Sequence, residues 1–186
     1  MGLHYRQARS RSELEYILEL QRKNLPDKLS PQEKLTEGFV TVSHTLHLLE
    51  RMNTRCGHVI AMDGTRLAGY ALCMHPDFAN DIPVLKPMFL RIAPLLPVDC
   101  RFIVMGQVCV DRAYRKKGVF RGLYSHMQSF LQDEYDLIIT EVDATNTRSL
   151  GAHTAVGFSG LCSYTSGGHN WEVIQLPTLL PPAHMP

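Results

Sequence analysis

The chain has 186 residues, with 19 Lys and Arg against 18 Asp and Glu, 45% hydrophobic and 20% charged, enough to bury one sizeable core. A net charge of +1 excludes a global field that draws the chain to nucleic acid or to an anionic membrane surface. Five scattered cysteines without a C-x-x-C exclude a disulfide framework, and no apolar run has the length of a membrane span. These observations predict a cytoplasmic protein with reduced thiols, one domain over residues 1–176, and a proline-rich tail over 177–186.

Leu3 to Ala8 predicts a short strand. Ser12 and Glu15 read as the capping box of a helix with Leu14, Ile17, Leu18 and Gln21 on one side. Ser30-Pro31-Gln32-Glu33 has the signature of a second helix start, and Gly38 ends that helix early. A further helix over Ser43 to Asn53 carries Leu46, Leu49 and Met52 along one stripe.

From His58 the period changes. Residues 58–62, the Asp63-Gly64 turn and residues 66–72 predict a hairpin. Residues 76 to 100, with prolines at 76, 83, 87, 94 and 97, predict a long loop with a helical turn or two. Phe102 to Val110 is an apolar strand. Val119, Phe120, Leu123, Met127, Phe130 and Leu131 then recur with helical period. Leu137 to Val142 predicts a strand and Arg148 to Val156 a helix. Strands over Leu161 to Thr165 and Trp171 to Leu176 flank the Gly167-Gly168 turn.

The order is β-α-α-β-β-β-α-β-α-β-β, an α/β fold with a mixed sheet. The unit from 102 to 142 is a right-handed parallel crossover, and the 58–72 hairpin is antiparallel.

Four cations, Arg115, Lys116, Lys117 and Arg121, surround Gly118 where the parallel strand feeds a helix. A helix start offers unpaired N–H groups and the positive end of the dipole, and glycine lets the backbone come close. Such a turn is a phosphate site in physical outline, the alternative being a solvated basic face.

The stretch V-C-V-D-R-A-Y-R-K-K-G-V-F-R-G-L resembles motif A of the GNAT superfamily of N-acetyltransferases, Arg/Gln-x-x-Gly-x-Gly/Ala. Arg115 and Gly118 match its first and fourth positions, and Phe120 departs at the sixth. N-T-R-S-L-G-A-H-T-A-V-G-F resembles motif B, with Asn146, Ser149, Gly157 and Phe158 in register.

The resemblance implies a GNAT-like acyl-CoA N-acyltransferase fold with acetyl-CoA as cosubstrate and no metal. The amides from Arg115 through Lys116, Lys117, Gly118, Val119 and Phe120 to Arg121 would hold the pyrophosphate. The N–H of Val108 would meet the thioester beside Cys109, Val110 would pair with the pantetheine arm, and Asn146 would complete the cofactor set. His153 stands where the family has a tyrosine that protonates the thiolate; its alternative is a helix-face histidine held by a carbonyl. Glu141 stands where many members carry a base, with Asp143 behind it; its alternative is a solvated or lysine-paired carboxylate.

Cys109 beside the thioester invites a nucleophile role, but buried cysteine is usually a small hydrophobe and the family transfers directly. His44 and His47 lie three apart without a third metal ligand. The acceptor is a small-molecule amine or a peptide, and a homodimer is a possible assembly. Rival readings are a non-catalytic acyl-CoA-binding module, or transfer of a longer acyl group or to a hydroxyl.

Overall fold

A computed structural model describes residues 2–25 and 42–179. The expected helix start at Ser30 and its stop at Gly38 lie outside them.

The first strand, β1 (Leu3–Gln7), leads to α1 (Arg11–Lys23). Its capping box is Ser10 with Glu13, two residues earlier than expected. Both Ser-x-x-Glu frames exist in the sequence; a tertiary contact selects the first, because Glu13 pairs with Arg6 at 2.5 Å. Helix α2 (Leu46–Arg55) starts from a Thr45 cap, later than expected, because His44 is drawn into a buried network. The hairpin is β2 (Val59–Asp63) and β3 (Arg66–Met74).

Within the proline-rich segment Pro76 and Pro83 begin single turns, and Pro87 sits in the first turn of α3 (Lys86–Ile92), where its missing N–H costs nothing. Then follow β4 (Phe102–Val110), α4 (Val119–Leu131), β5 (Leu137–Asp143), α5 (Thr147–Thr154), β6 (Ser159–Ser166) and β7 (His169–Pro177). Beyond the expected boundary at 176, Thr178 still donates to the carbonyls of Asp136 and Tyr135.

One seven-stranded sheet runs β1-β2-β3-β4-β5-β7-β6, antiparallel except for the β4–β5 pair. Val119, Leu123 and Met127 of α4 cover one face over Val59, Ala71, Ile103 and Ile138. Helices α1 and α2 cover the other over Ile60, Tyr70 and Leu72, continued by Met88 and Ile92 of α3 over Val104 and Ile139. Each such side chain contributes about 1.5–3 kcal/mol on full burial. None of the described helices is long and apolar enough to cross a membrane.

Two features of β4 shape the site. Its pairing with β3 passes from Leu72↔Gln107 to Cys73↔Met105, which leaves Gly106 as an extra residue and bends the strand. Its parallel pairing with β5 covers only Phe102–Val104 against Leu137–Ile139. Beyond that the two strands fork, and Thr140 Oγ1 donates to the Met105 carbonyl at the crotch, 2.9 Å away.

Candidate active site

The open side of β4 follows from its ladder. The Asp111 N–H donates to the Ala68 carbonyl at 2.9 Å, which fixes the alternation of the β3–β4 pair. Stepping back by two along the register, Cys109 and Gln107 exchange their backbone bonds with Tyr70 and Leu72. Val108 and Val110 therefore turn their N–H and C=O groups away from β3 and into the fork. The side chain of Arg115 uses one of these groups, its Nε donating to the Val110 carbonyl at 3.3 Å.

The fork opens into a cleft of about 360 Å³ that continues along the start of α4. Val108, Cys109, Val110, Arg115, Lys116, Gly118, Val119, Phe120, Arg121 and Asn146, all expected at a cofactor site, line it together. The backbone that makes the turn is special: Gly118 has φ +80° and Lys116 φ +60°, so two left-handed residues swing the chain into the helix. Space for that approach comes from Gly69, where a Cβ would lie 2.9 Å from the Cys109 carbonyl and 3.1 Å from Val119.

The cations differ in their engagements. Arg115 also donates to Asn24 Oδ1 at 3.0 Å, tying the turn to the end of α1. Arg121 donates to the Ala155 carbonyl at 2.9 Å and joins α4 to α5. Lys117, expected in the cofactor set, lies outside the cleft wall with its ammonium 5.4 Å from the centre of the Tyr114 ring.

Asn146 lines the cleft and also caps α5, its Oδ1 accepting the Ser149 N–H at 3.0 Å. His153 is 2% exposed and lies beneath the wall. Its Nδ1 faces the Ser149 carbonyl at 2.8 Å, so that nitrogen carries the hydrogen, and its Nε2 accepts from the Tyr124 hydroxyl at 2.7 Å. Burial lowers its pKa and keeps the ring neutral. Phe120, where the motif has a small residue, closes over it edge-on at 5.0 Å. His153 thus meets the cleft through the residues that cover it, Phe120 and Ser149, and the Ser149 Oγ is 3.3 Å from its Nδ1.

Glu141 sits on the β5 arm of the fork, on the face shared with Ile139. It is half-buried, and among the described residues its partner is not a lysine: Tyr164 of β6 donates its hydroxyl to Oε2. Burial, opposed by that bond, pushes the carboxyl up to about 7, the range of a general base. Asp143, two residues further, is engaged otherwise, receiving the Thr145 N–H at 2.8 Å and facing His169 Nδ1 at 2.7 Å. Burial pushes the Cys109 thiol up to about 12, the behaviour of a core residue and not of a nucleophile. His44 and His47 do not converge, since His44 is buried against Gln21 and His47 is exposed.

Sequence reasoning missed Asn24, Tyr114, Arg148 and Ser149 as cleft-lining residues, and Tyr164 as the partner of Glu141. Ser149 lay within the matched motif and Arg148 beside it. Nothing local marked Asn24, whose partner is 91 residues away.

No curated protein matches the sequence. Among solved structures, the ribosomal-protein-S18-alanine N-acetyltransferase of Escherichia coli superposes with a TM-score of 0.63 at 11% identity, over 99% of each chain. A chain of the NatC complex bound to Gag peptide and CoA gives 0.65 at 14%, over 95% of this chain and 99% of that one. The phosphinothricin acetyltransferase of Sinorhizobium meliloti, solved with acetyl-CoA, gives 0.62 at 17%, over 95% and 89%. These are likenesses of fold. The sequence itself matches the acetyltransferase (GNAT) family over residues 14–158, which include β4, the turn at Gly118, α4 and α5, and so the chain belongs to that family.

Proposed function

We propose that the protein transfers the acetyl group of acetyl-CoA directly to a primary amine of a small molecule or peptide. The observation that carries this is the fork: amides turned away from β3 on one arm, a carboxyl poised near neutrality on the other, and a cation-lined helix start at its mouth. Support for the acceptor class comes from the fold neighbours whose names include a protein alanine or a bound peptide.

In this scheme Glu141 takes a proton from the incoming ammonium, and the amine attacks the thioester carbon. The Val108 N–H stabilises the oxyanion that forms, a contribution of roughly 3–4 kcal/mol for one well-placed donor. The C–S bond then breaks with its electron pair on sulfur, and the second proton of the amine nitrogen passes to the thiolate to give free CoA. His153 enters through Ser149, whose carbonyl and hydroxyl it fixes at the wall facing the departing thiolate. The amides from Lys116 to Arg121 receive the pyrophosphate.

The test is release of free thiol from acetyl-CoA across free amino acids, a diamine and short peptides with free N-termini. We expect at least one to be turned over, and Glu141→Gln to lower that rate by about 10²–10⁴-fold. Thiol release no faster with any amine than without would refute catalysis and leave the acyl-CoA-binding module.

A further inference from the structure

We infer that Tyr164 is a positioning residue for the reaction, holding one oxygen of the Glu141 carboxylate so that the other faces the amine. This rests on the assignment of Glu141 as the base.

The geometry is specific. Tyr164 lies on β6 and Glu141 on β5, with β7 between them. Across the ladder Val173 pairs with Glu141 and with Cys162, while Trp171 pairs with Asp143 and with Tyr164. Tyr164 is therefore displaced by two residues from the row of Glu141, and its ring must reach diagonally over β7. Its hydroxyl ends on Oε2. Oε1 receives no hydrogen bond from any described residue, nor is it sealed among the buried unpaired atoms. The two carboxylate oxygens thus differ: one is fixed to the sheet, and the other is left for the proton.

The surroundings make this bond the lever. Tyr164 is itself buried, 7% exposed, so water does not compete for its hydroxyl. From β5, Asp143 faces the same way but is engaged with Thr145 and His169. From β7 the residue opposite Glu141 is Val173, and α3 presents Met88 and Ile92 to this region. Burial favours the neutral acid and the Tyr164 hydroxyl favours the carboxylate, and among the described residues no charged side chain enters the balance. Without the hydroxyl, the carboxyl would hold its proton to higher pH and swing about its own χ angles. A base still protonated at neutral pH accepts nothing.

The decisive measurement is a carbon-13 NMR titration of protein labelled at the glutamate carboxyl, with Glu141→Gln identifying the resonance. In the wild type Glu141 should titrate near 7. In Tyr164→Phe, which keeps the ring, the midpoint should rise by roughly one pH unit, the scale of one hydrogen bond to a charged group. The acid limb of turnover with whichever panel amine reacts should move up with it, while the thermal shift induced by CoA stays unchanged. A merely structural tyrosine would lower the melting temperature and leave the midpoint in place, and that result overturns the inference. Full turnover by Glu141→Gln would instead overturn the base assignment, a distinguishable failure.

Discussion

Replacing Gly118 with Asp puts the anion site to a quantitative trial. Gly118 has φ +80°, and an added Cβ would meet no atom within 4 Å, so the substitution adds no clash. The cost in the apo protein is the left-handed conformation alone, about 1 kcal/mol, or a fall of roughly 2–4 °C in a domain of this size. The effect on a bound pyrophosphate is larger. Two unit charges 4 Å apart at an effective dielectric of 20 repel by about 4 kcal/mol, whereas a ligand at a hundred times its Kd stabilises by about 2.7 kcal/mol. Repulsion wins. Thermal unfolding with and without free CoA should give the wild type a rise of roughly 5–11 °C and Gly118→Asp none. Gly118→Ala has the same backbone cost without the charge and should keep most of the rise. A full CoA shift in Gly118→Asp would refute the placement of the pyrophosphate at this turn.

Other perturbations follow from the same geometry. Glu141 has a folded pKa of about 7 against an ordinary 4.5, so folding takes up a proton and stability falls as pH rises through that window. Glu141→Gln should therefore be more stable than the wild type above pH 7, by about 1–2 kcal/mol after allowing for partial exposure, and indistinguishable below pH 4; urea unfolding at both pH values checks it. Gly69→Ala should destabilise by about 1–3 kcal/mol, because its Cβ would press on the Cys109 carbonyl at 2.9 Å, and an unchanged urea midpoint would contradict the close approach of α4. Lys116→Gly should relieve a positive φ and raise the melting temperature slightly despite the lost cation, and a clear fall in thermal unfolding would contradict strain at this position.

The elements that carry the site were legible because each is announced by its own residues. Phe102–Val110 is an apolar run broken only by Gly106 and Gln107, and the stripe from Val119 to Leu131 starts at a glycine, so both ends came out where the ladder and helix place them. Where two local solutions exist, the sequence does not choose. Ser10 with Glu13 and Ser12 with Glu15 are equally good boxes, and Arg6 decides between them from a neighbouring strand. Side-chain surroundings are least legible. His153 has the register of a proton donor, yet Tyr124 and Ser149 occupy its ring nitrogens. Glu141 stood out as a charge in an apolar strand, but its partner 23 residues later gave no local sign. Gly106 was the missed clue, since a glycine inside an apolar strand often marks a bulge.

The bend at Gly106 has a genetic consequence. In the proposed scheme β4 brings an amide, not a side chain, to the thioester, and an amide is the one functional group that nineteen of the twenty amino acids encode identically. A saturation scan should thus find position 108 permissive to any residue that packs, with proline as the exception, because proline alone deletes the N–H. Half of the proposed catalytic apparatus would be silent to conventional alanine scanning, and its history would be written in the spacing of β4 rather than in the identity of any residue.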